Sequence, residues 1–243
     1  METYPRLNIV GAALADPTRV RILCEMMDGR AFTNKELACA ANVAAQTASV
    51  HLKHLEIVGL TKSLRGGRHV YHQIANADVA GVLEALAGLI PTHHVCGTGK
   101  RAAPEMEVLI ARSCYNHVAG RLAVLLTERM IASNLLQIRG DAVSIGCKGH
   151  DFFHGIGIET TRTSGPGQPM VKFCLDWTER RHHISGFLGA ALMQKSLSMK
   201  WLERRRGSRA LTITPLGFDA LEYLFGLKRE AIEGMEQSQQ FDG

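Results

Sequence analysis

Apolar residues near the N-terminus recur at helical spacing. Leu7, Val10, Ala13 and Leu14 form one amphipathic stretch, and Val20, Leu23, Cys24 and Met27 form a second, because every third or fourth residue shares a helix face. Asp16-Pro17-Thr18 opens the second helix: Asp16 can cap free N–H groups, and Pro17 suits the first helical position, where no N–H is needed. Asp28-Gly29 ends it. Thr33-Asn34-Lys35-Glu36 has capping-box spacing and starts a short helix through Leu37 to Ala41. Asn42-Val43 makes a turn, and a further helix runs from about Ala44 to Val58 with Ala48, Leu52, Leu55 and Val58 inward. The period then changes from helical to alternating. Leu60–Leu64 and His69–Ile74 read as strands joined by Arg65-Gly66-Gly67-Arg68, a hairpin signal. Asn76 to Ile90 returns to helix, with Val79, Val82, Leu83, Leu86 and Leu89 on one side and Pro91 closing it.

Residues 92–104 read as a linker. Met106 to about Ile131 is predicted as one long amphipathic helix, Gln137–Ser144 as a short strand or turn, and Gly146–His154 as a short helix. Thr160–Gly167 is a loop, helical patterns return at about 177–199, and Trp201–Ile213 forms a basic strand-turn-strand. Thr214-Pro215-Leu216-Gly217 starts a last helix to about Leu227, and the tail from Glu230 is polar. The second half therefore echoes the first: helix, helix, basic hairpin, helix. The expected fold class is mainly α with small β wings (α+β), an N-terminal winged helix-turn-helix followed by a C-terminal α-rich, second winged-helix-like domain.

Composition narrows this picture. The 243 residues suffice for two domains; hydrophobic residues are 46% and charged residues 21%, which fits a packed chain and excludes a disordered one. No uncharged apolar run reaches the ~18 residues of a membrane span, and Met1–Ala15 lacks the order of a signal peptide, so a cytoplasmic protein is expected. Six cysteines, at positions 24, 39, 96, 114, 147 and 174, are scattered without C-x-x-C spacing, which argues against a disulfide framework. Net charge is +5. Lys53, Lys62, Arg65 and Arg68 form one basic patch, and Lys200, Arg204, Arg205, Arg206 and Arg209 form another.

The first patch surrounds a helix suited to reading DNA. A recognition helix presents short polar side chains to base edges while its apolar face rests on the domain. Gln46, Thr47, Ser49, Val50 and Lys53 fill that role, Gln46 being able to bond adenine bidentately, and Asn34 and Lys35 lie on the preceding helix. Lys53, Lys62, Arg65 and Arg68 are expected at phosphates and the minor groove, which makes binding salt-dependent. His51 and His54 fit packing or phosphate contact better than base reading.

Leu-Ala-Asp-Pro-Thr-Arg-Val-Arg-Ile-Leu (14–23), Gln46 to Leu55, Gly59-Leu60 and the wing from Arg65 to His72 together resemble the winged helix-turn-helix of ArsR-type repressors. The resemblance implies a homodimer on an inverted-repeat double-stranded DNA operator, with the first helix and the Asn76–Ile90 helix making the dimer. It further implies two metal sites to check. The thiol positions of one fall on Ala38 and Ala40, with Cys39 between them; in the other Asp78 is present but the histidine position is Ala80. Neither metal pattern survives.

The implied organisation is a DNA-binding and dimerisation domain at 1–91, a linker at 92–104, an effector domain at 105–229 and a tail at 230–243. Within the effector region, Ala111–Gly120 and Cys174–Gly186 resemble the C-terminal half of a longer ArsR-type group. Arg112, Cys114, Tyr115, His117, Cys174, Asp176, Trp177 and His183 are the candidate effector residues, expected to converge. Cys114 and His117 share a face if helical, and Arg112 is expected to lower the Cys114 pKa. Cys147, His150, Asp151 and His154 follow the same helical spacing and offer an alternative metal set; His93, His94 and Cys96 lie in the linker. These residue types suit a metal ion, a haem or a small-molecule effector, or a thiol open to modification, without singling one out. Structural ion pairs of Asp176, Arg180 and Arg181 are the competing reading.

Three function classes stand at this point: a repressor released by an effector, a Cys/His enzyme with a DNA-binding appendage using Cys114 and His117, and an architectural nucleic-acid binder. Nucleotide-loop, nucleophile-elbow and H-E-x-x-H motifs are missing from the sequence, which disfavours the enzyme. The base-reading helix and the extension disfavour the architectural binder.

Overall fold

A computed structural model describes residues 7–89, 106–161, 169–205 and 208–234. The chain divides into two units, the first ending at Leu83 and joined by 208–209, the second starting at Glu84. The division falls inside a helix rather than at residue 91. The linker at 92–104, including His93, His94 and Cys96, lies outside the described residues, as do the tail from 235 and most of the 160–167 loop.

The first unit begins with α1 (Leu7–Leu14) and α2 (Pro17–Met26). Asp16 caps α2 by accepting the N–H groups of Thr18 at 2.8 Å and Arg19 at 3.0 Å. Its buried face is Ile22, Leu23, Met26 and Met27, while Val20 and Cys24 are exposed. The inward face is thus rotated from the expected one, since α2 packs against the two helices that follow it. A two-residue strand, β1 (Phe32–Thr33), leads into α3 (Asn34–Ala41). The capping box at Thr33 forms in both directions, with Thr33 N–H to Glu36 at 2.7 Å and Glu36 N–H to Thr33 Oγ1 at 3.3 Å.

Asn42, in the left-handed region at φ 55°, closes α3 and turns the chain into α4 (Ala45–Ile57). Ala48, Leu52 and Leu55 of α4 are buried as expected, and Val58, just past its end, is half-buried. The wing is β2 (Thr61–Gly66) against β3 (His69–Ile74), turning at Gly67 (φ +60°). Phe32 and Thr33 pair with His72 and Tyr71, giving a three-stranded sheet in the order β1-β3-β2. The helix α5 (Ala77–Leu89) follows, with Asn76 accepting two of its first N–H groups.

The second unit departs further from expectation. The long helix 106–131 is interrupted: α6 (Met106–Ile110) is followed by a hairpin, β4 (Arg112–Cys114) with β5 (His117–Ala119), and only then by α7 (Arg121–Ala132). Gly120 makes this turn at φ +89°, and a Cβ there would lie 2.8 Å from the Leu109 carbonyl. After α7 come the hairpin β6 (Leu136–Arg139) with β7 (Ala142–Ile145), the short helix α8 (Gly149–Gly155), and a third hairpin, β8 (Lys172–Leu175) with β9 (His182–Ser185). The last occupies ground expected to be helical from 177. The helix α9 (Gly186–Ser198), a basic hairpin β10 (Leu202–Arg204) with β11 (Leu211–Ile213), and α10 (Pro215–Phe225) complete the expected helix–hairpin–helix ending. A final turn of helix, α11 (Arg229–Glu233), lies where a polar tail was expected. Met130, Leu136, Phe153, Leu188, Leu192 and Phe225 belong to the core of this unit. Among the described residues, no helix is long and apolar enough to cross a membrane.

Candidate functional site

The exposed surface of α4 carries Gln46, Thr47, Ser49, Val50 and Lys53. The wing holds Lys62, Arg65 and Arg68, all exposed, and Lys35 is exposed on α3. Asn34 differs: its side-chain amide donates to the Ala45 carbonyl at 2.9 Å, so it fixes the angle between α3 and α4. His51 is half-buried, with Nδ1 3.9 Å from Asp16 at the cap of α2. Cys39 and Asp78 are exposed.

The candidate effector residues come together in the second unit, by a route other than helical spacing. Cys114 and His117 oppose one another across β4–β5, and Cys174 and His183 oppose one another across β8–β9. Each hairpin thus offers one thiol and one imidazole on a common face, because directly paired residues project to the same side. The four donor atoms lie within 4.8 Å of one another, with Cys114, His117 and His183 buried. The two Nε2 atoms are 3.1 Å apart. Nδ1 of His117 faces Asn116 Oδ1 at 3.3 Å, and Nδ1 of His183 faces Asp176 Oδ2 at 3.4 Å.

Asp176, fully buried, organises the surroundings. It receives two bonds from the buried Arg112 guanidinium, at 2.9 and 3.0 Å, and one from the Gly120 N–H at 2.7 Å. Thr178 gives it two more, through N–H at 2.9 Å and hydroxyl at 2.6 Å. Arg112 also lies over the Trp177 ring, 4.9 Å from its centroid. Arg180 donates to the Gly88 carbonyl and Arg181 pairs with Glu128, while the buried ion pair of Asp176 is with Arg112. Tyr115 sits half-buried in the β4–β5 turn at φ 56°.

Burial works against the Asp176 carboxylate, but bonding to His183, the Arg112 charge, Thr178 and the Gly120 N–H hold its pKa well below the usual range. Burial likewise opposes a charged His183, yet its bond to Asp176 and then to Cys174 raises its pKa to about 9. Cys174 is held far below the ordinary thiol range, first by the hydrogen bond from Cys114 and then, against burial, by His117 and His183. The same bond to Cys174 raises the Cys114 thiol, and burial raises it further. The expectation that Arg112 would acidify Cys114 is therefore reversed: its guanidinium is committed to Asp176, and the acidified thiol is Cys174. Burial lowers the His117 pKa. Glu84, buried on α5, also hydrogen-bonds Cys114.

The alternative set does not assemble. The helix α8 starts at Gly149, leaving Cys147 outside it and exposed, and His150 binds Thr160 through Nδ1 at 2.8 Å. Cys147 is thus off the helix that carries His150, Asp151 and His154, and among the described residues these four do not gather their donor atoms as a metal-binding group. The cross-strand pairing of Cys with His was missed in the sequence; the two-residue spacer of Cys-Tyr-Asn-His, which fits a tight turn, was the available signal.

Recognition helix and wing define a winged helix-turn-helix, the DNA-binding module of bacterial regulators. Residues 16–63 match the model of the bacterial regulatory protein arsR family. The HTH-type transcriptional regulator YdfF of Bacillus subtilis is 34% identical over 224 residues, covering 92% of this chain and 99% of that one. The chain belongs to the arsR family and is a DNA-binding transcriptional regulator. CmtR, an HTH-type transcriptional regulator of Mycobacterium tuberculosis, is 35% identical over 99 residues, 40% of this chain and 83% of that one. In the solved homodimeric winged helix-turn-helix domain Mb0332 of Mycobacterium bovis, identity is 25% over 42% of this chain and all of that one, with a TM-score of 0.34.

Proposed function

We propose that the protein is a homodimeric cytoplasmic repressor, released from an inverted-repeat operator when an effector occupies the second unit. The observation that carries this reading is the largely buried cluster of two thiols and two imidazoles, which packing alone does not require and which suits an effector site. Gln46, Thr47, Ser49 and Val50 read bases; Lys35, Lys53, Lys62, Arg65 and Arg68 hold phosphates. Dimerisation through α1 and α5 is supported by the apolar side chains these helices leave exposed, Leu7, Ile9, Val82 and Leu86. The homodimer Mb0332 is a precedent in kind. Two recognition helices then double the reach of one module along the DNA. Occupation of the cluster shifts the population between dimer geometries. Glu84 links the site to α5, whose earlier turns, 77–83, group with the DNA-binding unit. The site has no catalytic role in this reading.

Mobility shift on the DNA upstream of the protein's own gene tests it. A retarded complex is expected at ~100 mM salt, since base contacts persist where purely electrostatic binding weakens. Its absence, or a monomer in sedimentation at operator-binding concentrations, would refute it.

A further inference from the structure

We infer that Cys114, His117, Cys174 and His183 form a closed four-coordinate site for one divalent metal ion of the zinc class. The inference rests on the reading of this cluster as the effector site and names the class of effector. The donor set is two sulfurs and two imidazole nitrogens, the combination that favours tetrahedral zinc-like ions over magnesium or calcium. With metal–ligand distances of ~2.0–2.3 Å, donors of such a site lie about 3.5 Å apart. The present cluster, within 4.8 Å, needs only a small contraction.

The orientation of the imidazoles is more specific than their proximity. Both Nδ1 atoms face oxygen acceptors, Asn116 Oδ1 and Asp176 Oδ2, and both Nε2 atoms face each other at 3.1 Å. At that distance a proton, or an ion that displaces it, lies between the two Nε2 atoms. An oxygen acceptor facing Nδ1 favours the tautomer in which Nε2 coordinates a metal, and a carboxylate in that place is a recurrent outer partner of metal-bound histidine. Asp176 is itself immobilised by Arg112, Gly120 and Thr178.

Charge selects the valence. Two thiolates and two neutral imidazoles carry −2, which a divalent ion cancels and a monovalent ion does not. The neighbouring pocket offers little room for an organic alternative. The apolar pocket lined by Val118, Leu122, Ile184, Leu192 and Trp201 measures about 30 Å³, against the ~300 Å³ at which small-molecule pockets begin. Four protein donors leave no open coordination position, as in non-catalytic sites.

The test uses full-length protein, stripped of metal and fully reduced, titrated with Co²⁺ and then Zn²⁺. The expected result is a single Co²⁺ per chain with the visible absorption of a tetrahedral ion and thiolate charge-transfer bands, displaced by Zn²⁺. Zn²⁺ should protect Cys114 and Cys174 from alkylation while the exposed Cys24, Cys39 and Cys147 react unchanged; this mapping needs no variant. Cys174→Ser should abolish half the charge-transfer intensity, and Asp176→Asn should weaken Co²⁺ binding ~10–100-fold with the tetrahedral spectrum retained.

The site is overturned by fully reduced protein that gives no tetrahedral spectrum, whether or not it was isolated with a Cys114–Cys174 disulfide. It is equally overturned by Zn²⁺ that fails to protect these two thiols. Operator binding is measured on the same preparations. An ion bound without change in operator affinity upholds the site and refutes the effector reading. An operator complex formed by protein that takes no ion overturns the site and leaves DNA recognition standing.

Discussion

Replacing Asp176 by alanine removes the acceptor of two bonds from a guanidinium that is wholly shielded from water, and of three backbone N–H groups, those of Gly120, Thr178 and Glu179. The loss is dominated by Arg112, left as a buried charge whose remaining partners are the Thr178 hydroxyl, the Val108 carbonyl and the Trp177 ring. Breaking a buried pair from one side costs about 3–5 kcal/mol. At about 2–4 °C per kcal/mol for a chain of this size, the melting temperature of the second unit should fall by on the order of 10 °C. Both tryptophans, Trp177 and Trp201, lie in that unit, so urea unfolding followed by their fluorescence reads it selectively. Removing both charges in Arg112→Met/Asp176→Ala should recover much of the loss, because an apolar replacement of a buried pair is often neutral. A single variant losing under about 1 kcal/mol, or a double variant as unstable as the two singles added together, would refute the assignment of Asp176 as counter-charge to a desolvated arginine.

Gln46→Ala should weaken the specific operator complex by about 1–3 kcal/mol, the worth of one bidentate base contact, and leave binding to unrelated DNA unchanged in fluorescence anisotropy. Combined replacement of Lys62, Arg65 and Arg68 by alanine should flatten the dependence of log affinity on log salt by about 0.9 for each phosphate no longer neutralised, on any sequence; an unchanged slope would remove the wing from the interface. Gly217→Ala places a Cβ 2.1 Å from the Trp201 carbonyl; the shift forced on α10 should cost about 1–3 kcal/mol in the same tryptophan-monitored unfolding.

The two halves of the chain differ in how openly their residues declare the fold. In the first unit, local signals coincide with the structure: Asp16 and Thr33 both cap, Asn42 takes the left-handed turn, and Gly67 turns the wing. What misled there was which side of α2 faces in, since Ile22 and Val20 are equally apolar and only the neighbours α3 and α4 choose between them. In the second unit, β4 and β5 are three residues each, buried on both faces around Arg112, Cys114 and His117. Such strands have no alternation to read. Their turn places Tyr115 in a conformation normally signalled by glycine or asparagine, and the apolar run of α7 follows directly, so the pattern reads as unbroken helix. The candidate residues were legible as two dense runs, but their partnership was not. Cys114 meets Cys174 through tertiary packing, and local spacing instead favoured Cys147 with His150, where the helix starts too late.

The cross-strand arrangement divides the donors equally, a thiol and an imidazole on each of two hairpins that α7, β6–β7 and α8 separate along the chain. Neither half can saturate an ion alone. An ion seated there would act as a reversible cross-link closing the loop between His117 and Cys174, a constraint worth roughly 4 kcal/mol by the reckoning applied to covalent bridges of similar span. Ion concentration would then set the rigidity of the whole unit, and removal by a chelator would loosen α7 and everything packed on it while leaving every residue that faces the DNA chemically untouched.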